Sequence, residues 1–163
     1  MASVTATANA TAGAYQVTAS YPGSGFATFS MTNLPPPVFT VTSLTDDATG
    51  AAGNCNDTSQ GATPNFGCSL RDAIAAAAAV STSTLTPTVN FASSLNLTTV
   101  APGDYNVTTG GTLNIGNNIN ITGPGANLLS IDGGGTAEVF SVNSGTVSIS
   151  GLTITKGLSL IHI

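Results

Sequence analysis

Between Val89 and Ile154 the β-type residues come only in short runs, each closed by Gly, Asn, Ser or Pro. The runs centre on Val89 and Phe91, Leu95 and Leu97, Val107, Leu113 and Ile115, Ile119 and Ile121, Leu129 and Ile131, residues 139–142, Val147 and Ile149, and Leu152 and Ile154. Strands this short bury little by themselves, so they must be numerous and stacked. A tripeptide recurs at Ile121-Thr122-Gly123, Ile131-Asp132-Gly133 and Ile149-Ser150-Gly151, with a polar residue before each Ile, at spacings of ten and eighteen residues. Uneven spacing argues for several strands per coil of a solenoid with variable turns, rather than a hexapeptide or nonapeptide repeat. An antiparallel sandwich is the rival, with residues 113–121 folding as a hairpin across Gly116-Asn117-Asn118. Periodicity does not separate the two.

Only 6% of the 163 residues are charged, the formal net charge is −5, and Arg71 and Lys156 are the whole basic complement. No patch can neutralise phosphates, which excludes a nucleic-acid partner. Solubility must come from Thr, Ser, Asn and Gly, as in extended secreted β proteins. Mean hydropathy is +0.30, yet no apolar run approaches the roughly 18 residues that span a bilayer. No membrane span is expected. The N-terminus carries neither a basic segment nor an apolar one, so any export signal is expected to lie outside this chain.

One convincing helix stands in this β background. Ser69 precedes Asp72 by three residues, the spacing of an N-capping hydroxyl and a first-turn carboxylate, which starts a helix at about Leu70. Leu70, Ala73, Ile74, Ala77 and Val80 follow at helical spacing through an alanine run over residues 75–79. Cys55 and Cys68, the only cysteines, flank a segment rich in Asn, Ser, Gly and Pro that lacks apolar content of its own. A disulfide closing that loop would stabilise the fold by about 3 kcal/mol. Two free thiols in a cytosolic loop are the alternative, whereas zinc would lack a complete ligand set.

The signature Cys68-Ser69-Leu70-Arg71-Asp72-Ala73 resembles that of the CSLREA domains, named for Cys-Ser-Leu-Arg-Glu-Ala, with Asp72 where the family has Glu. The resemblance extends to Phe39-Thr40-Val41-Thr42, Asp46-Asp47, Cys55, Thr88-Val89-Asn90-Phe91, Gly123-Pro124-Gly125-Ala126 and Gly151-Leu152-Thr153-Ile154-Thr155, over residues 38–157. Such domains stand near the start of right-handed parallel β-helix, pectate-lyase-like regions of large bacterial surface and secreted proteins. The resemblance therefore implies an all-β chain: the start of a right-handed parallel β-helix with one short N-terminal capping α-helix. Ser69, Leu70, Arg71, Asp72 and Ile74 are the expected cap residues, with Leu70, Ile74 and the alanine face closing the first coil of the solenoid.

Residues 1–34 alternate as a β-hairpin: Tyr15, Val17 and Ala19 share a face, as do Phe29 and Met31, with a turn at residues 21–25. Thr11-Ala12-Gly13-Ala14-Tyr15 is similar to the tyrosine corner of bacterial Ig-like repeats, implying the last strands of an incomplete Ig-like domain. An isolated β-ribbon or a Thr/Ala-rich linker is the alternative. Pro35, Pro36 and Pro37 form a stiff spacer at the domain boundary. Residues 158–163, Leu-Ser-Leu-Ile-His-Ile, break the style of the chain and are what CTG TCT CTT ATA CAC ATC encodes, a string resembling the transposase end used in sequencing libraries. They are expected to be adapter-derived, with a natural chain continuing past Gly157. A genuine apolar strand is the alternative.

Glycoside hydrolysis needs two carboxyl groups across one sugar. Asp132 and Glu138, with Asp104 further off, are the only candidates in the solenoid, and nothing places two of them on one face. No catalytic residue and no metal site is therefore expected. Asp46, Asp47, Asn54, Asn56 and Asp57 follow no calcium-loop spacing and read as turn formers, so no cofactor is expected, calcium being the one ion left open. The expected function is that of a fragment of a large exported bacterial surface protein, extracellular or cell-surface, a structural and adhesive rod contacting glycans or other cells. The alternative is the non-catalytic N-terminal part of a β-helix polysaccharide lyase or glycoside hydrolase.

Overall fold

The computed structural model describes residues 11–158 except 22 and 24, so the lead-in before Thr11, two residues of the expected turn at 21–25 and the tail after Leu158 lie outside the described residues. The chain divides into two compact units at Pro35/Pro36. Two strands of the first unit, β1 (Gly13–Tyr21) and β2 (Gly25–Asn33), pair antiparallel with Tyr15 opposite Met31 and Val17 opposite Phe29. One face is thus apolar and the other is rich in Thr and Ser, as alternation dictates. Phe29 and Met31 on the apolar face are nevertheless exposed.

Among the described residues, the second unit is strand-rich with one α-helix. Its strands are β3 (Val38–Val41), β4 (Thr88–Phe91), β5 (Gly103–Asn106), β6 (Leu113–Ile115), β7 (Ile119–Thr122), β8 (Leu129–Asp132), β9 (Phe140–Val142), β10 (Val147–Ser150) and β11 (Thr153–Thr155), and its helix is α1 (Leu70–Val80). All strand pairings here are parallel. Three sheets result, with orders β3-β4-β7-β10, β5-β8-β11 and β6-β9. From β4 onward successive strands go to the first, second and third sheet in rotation.

From β4 onward the chain therefore returns alongside itself after 23 to 32 residues. Ser130 bonds to Asp104 across 26 residues, Thr153 to Ala126 across 27, and Thr146 to Asn118 across 28. The uneven Ile-x-Gly spacing follows directly. Ile121 and Ile149 are partners in the first sheet, whereas Ile131 belongs to the second. Their exits stack as well: Gly123 N–H donates to Ser150 O at 2.8 Å, and a Cβ on Gly123 would run into the Gly151 carbonyl. Only glycine lets the two backbones come this close.

The antiparallel alternative is not what forms. Residues 113–121 make no hairpin, because β6 pairs with β9 while β7 pairs with β4 and β10. Nor does the run at Leu95 and Leu97 form a strand. Residues Ser93–Leu95 make a 3₁₀ turn, and Asn96 follows with φ 52°, a left-handed conformation that Asn tolerates and that ends any extended run.

Inward-facing residues line up across the layers. Phe39, Val89, Ile121 and Ile149 form one row across the first sheet, and Tyr105, Ile131 and Ile154 another across the second. Together with Val41, Val107, Leu113, Ile115, Ile119 and Leu129 these rows make one core, except for Ile154, which ends the second row exposed. Helix α1 contributes Leu70, Ala73, Ile74, Ala76 and Ala77 to it and packs against β3, β4, β6 and β7. Val80, expected on the apolar stripe, is 38% exposed at the last turn of the helix, and Ala76 is buried in the stripe instead.

Candidate functional site

The side chains with the densest polar connections gather where α1 enters the core, around the signature at residues 68–73. Ser69 stands in extended conformation before the helix, and its Oγ accepts the Asp72 N–H at 3.0 Å. Asp72 Oδ2 accepts the Ser69 N–H at 3.3 Å, completing a capping box with the shorter Asp in place of Glu. The same carboxylate reaches beyond the helix. Its Oδ1 accepts from Ala51 N–H at 2.6 Å and its Oδ2 from Asn54 Nδ2 at 3.1 Å, so it also fixes the loop ahead of the disulfide.

Cys55 and Cys68 form the expected disulfide, with Cα atoms 5.2 Å apart and a sequence separation of 13. Cys68 is fully buried, and its carbonyl accepts from Thr42 N–H at 2.9 Å and Ser43 N–H at 3.1 Å. The bridge therefore joins the loop to the exit of β3 as well as to the helix start. Residues of the bridged loop also cover the free edge of β3: Thr58 N–H donates to Val38 O at 2.6 Å, and Val38 N–H donates to Asp57 Oδ1 at 2.9 Å. Covering an edge in this way blocks further strand addition.

Arg71 points from the first turn of α1 to Asp46. Its Nε and Nη2 meet Asp46 Oδ1 and Oδ2 at 2.9 and 3.0 Å, a two-pronged pair whose planar geometry suits guanidinium and carboxylate. Nη1 and Nη2 also donate to the Thr112 and Gly111 carbonyls at 3.2 and 2.6 Å. Asp46 accepts further bonds from Tyr105 Oη at 2.6 Å and Gly110 N–H at 3.0 Å. Gly110 permits this closeness, since a Cβ there would collide with the Asp47 carbonyl and the Arg71 guanidinium. Four stretches of chain thus meet on one carboxylate: the loop after β3, the start of α1, β5 and the turn before β6.

The ionisation of these groups follows from their neighbours. Burial acts to raise Asp46, but hydrogen bonds from Arg71, Tyr105 and Gly110 outweigh it and hold the carboxyl below its ordinary range. Burial likewise opposes ionisation of Asp72, and the Ala51, Asn54 and Ser69 donors reverse the effect. Tyr105 is driven upward, by burial first and then by the Asp46 carboxylate that accepts its proton. Asp47 is raised by burial, then by the Asp72 and Asp46 carboxylates, and its Oδ1 is buried without a hydrogen-bond partner.

The carboxylates weighed for sugar chemistry lie elsewhere. Asp132 is buried and accepts from Lys156 Nζ at 2.6 Å and Gly134 N–H at 2.7 Å. Asp104 accepts from Ser130 Oγ at 2.7 Å, and Glu138 is exposed. Among the described residues, no three of His, Cys, Asp and Glu gather as a metal site. Asp46, Asp57 and Asn54, weighed above as oxygen ligands, are held by Arg71, by the Val38 and Ser59 N–H groups, and by Asp72.

Sequence reasoning identified Cys55, Cys68, Ser69, Arg71 and Asp72 as members of this region, but not the partners of Arg71. Tyr105 offered one signal. It alternates with Gly103 and Val107, all three buried, and a buried tyrosine hydroxyl requires a partner. No known protein family, curated protein or solved structure matches the chain.

Proposed function

We propose that the second unit is the start of a right-handed parallel β-helix of the CSLREA-capped kind, in a large exported bacterial surface protein, and that its role is structural and adhesive. The rotation of successive strands from β4 onward through three parallel sheets, each strand pairing with one 23 to 32 residues further on, carries this reading. Parallel crossovers in one sheet are right-handed in about 98% of cases, which supports the handedness. The buried face of α1 lies against β3 and β4, where a solenoid needs a cover for its first apolar layer. A disulfide in the cap suits an oxidising compartment, and a chain with 6% charged residues suits contact with neutral surfaces. On this reading β1 and β2 are the tail of an Ig-like repeat, and residues 35–37 space it from the solenoid.

Adhesion is tested by coating beads with the full chain and measuring their retention under flow on surfaces carrying neutral polysaccharides or intact cells. Retention above that of albumin-coated beads is expected. Equal retention on every surface would sink the adhesive role, and new reducing ends released from soluble polysaccharides would favour the enzymatic alternative.

A further inference from the structure

Five asparagines stand in Asn-x-Ser/Thr: Asn9, Asn56, Asn96, Asn106 and Asn120. This is the acceptor pattern for enzymatic transfer of an oligosaccharide to the asparagine side chain, but in a chain so rich in Asn and Thr the pattern alone does not make a site. The structure separates the five. Asn9 lies outside the described residues. Asn56 and Asn96 engage their side-chain nitrogens with the Thr63 and Ser94 carbonyls, at 3.2 and 3.0 Å. Asn120 is half-buried in β7, a central strand held by β4 on one side and β10 on the other.

Asn106 differs from all of these. It ends β5, an edge strand of the second sheet, where the chain enters the turn at residues 107–110. Alternation along this stretch places Tyr105 and Val107 in the core and leaves Asp104, Asn106 and Thr108 exposed. Asn106 Oδ1 accepts the Thr108 N–H at 2.9 Å, a turn closed by the asparagine side chain. That bond orients the carboxamide and polarises its carbonyl, while Nδ2 has no hydrogen-bond partner among the described residues. Asp104, two residues before Asn106, adds a carboxylate on the same exposed side; the other four asparagines have Thr7, Asn54, Ser94 and Asn118 at that place. Bacterial oligosaccharyltransferases select acceptors with an acidic residue there.

We infer that Asn106 is an acceptor for N-linked glycosylation by an oligosaccharyltransferase of the bacterial kind. Nδ2 attacks the anomeric carbon of a polyprenyl-diphosphate-linked oligosaccharide. The carbon–nitrogen bond forms as the carbon–oxygen bond to the diphosphate breaks; the lipid diphosphate leaves with the electron pair, and one Nδ2 proton is released. Asp104 offers the enzyme a charged handle and Thr108 a hydroxyl, both exposed beside Asn106. This inference goes beyond the adhesive role and rests on the reading of the chain as exported.

The full chain, purified folded and oxidised, is incubated with a purified bacterial oligosaccharyltransferase and an undecaprenyl-diphosphate-linked oligosaccharide, and the product is read by intact mass and peptide mapping. A glycan at Asn106 is expected, and none there in Asn106→Gln. Asp104→Asn keeps the shape and removes the charge, and Thr108→Val keeps the backbone N–H and removes the hydroxyl. Each should slow transfer about tenfold or more at unchanged melting temperature, and Thr108→Ser should retain it. No transfer, transfer only to other asparagines, transfer only after the chain is reduced and unfolded, or full-rate transfer to Asp104→Asn overturns the site. Export plays no part in a reaction of purified components, so such a failure leaves the reading as an exported rod to be decided separately by bead retention.

Discussion

A single carboxylate, Asp46, joins parts of the chain that are far apart in sequence: it lies 25 residues from Arg71 and 59 from Tyr105. Asp46→Asn removes the two-pronged partner of the Arg71 guanidinium, whose side chain is 11% exposed, and should lower stability by about 3 kcal/mol. Tyr105→Phe keeps the volume but removes the hydroxyl from both Asp46 and the Arg71 N–H, and should cost about 1–2 kcal/mol. Urea unfolding of both variants and of the double variant measures the coupling; strictly additive losses would mean that the two groups act independently. Asp46, Asp57 and Asp72 are all lowered in the folded chain, because hydrogen bonds to each outweigh the opposing effect of burial. Their stabilisation is present above the unfolded value near pH 4 and is lost as pH falls through their folded values. Asp47 acts in the opposite sense: raised by burial and by Asp72, it costs stability as pH rises above its unfolded value. The urea midpoint should therefore drop between pH 5 and pH 2, and Asp47→Asn should raise it at pH 7. A midpoint independent of pH over that range would contradict the assignment.

At the scale of the element, α1 is fixed at its start by local bonds and along its length by packing. Ile74 is 6% exposed and lies in the core with Val41 and Val89, so Ile74→Ala should cost about 2–4 kcal/mol. Ile74→Asp, which buries a charge without a partner, should cost more. The disulfide constrains a loop with little apolar content. Replacing Cys55 and Cys68 together with Ser should lower stability by about 3 kcal/mol. If thermal unfolding shows no change for that double variant, the Asp72 and Thr42 hydrogen bonds suffice to hold the loop without the bridge.

Across the second unit, burial falls from the helix side toward the later strands. Val89, Ile121 and Ile131 are fully buried, whereas Val142 is 53% and Ile154 52% exposed. Each layer of such a stack is stabilised by its neighbours, so opening should begin where the inward residues are least covered. Native-state hydrogen exchange should show amides of β4, β7 and β8 protected well beyond those of β9 and β11. Uniform protection would mean that the layers open as one unit instead.

The helix start, its capping box and the disulfide were legible in the sequence because each depends on few and local choices. A hydroxyl and a carboxylate three residues apart cap a helix wherever it sits, and two cysteines admit one intrachain pairing. The presence of many short strands was legible for the same reason, since Gly, Asn and Pro end extended runs locally. Which sheet each strand joins was not. Strands of three or four residues carry no mark of their partner, and the Ile-x-Gly spacing looked irregular until Ile131 fell in a different sheet from Ile121 and Ile149. The Leu95–Leu97 run shows the reverse case, where apolar spacing suggested a strand and a left-handed Asn96 ended it. Local interactions are defined by neighbouring residues before the chain folds. The parallel pairings and the junction of Asp46, Arg71 and Tyr105 exist only once the chain has returned alongside itself, and that return is decided by the summed burial of the whole stack.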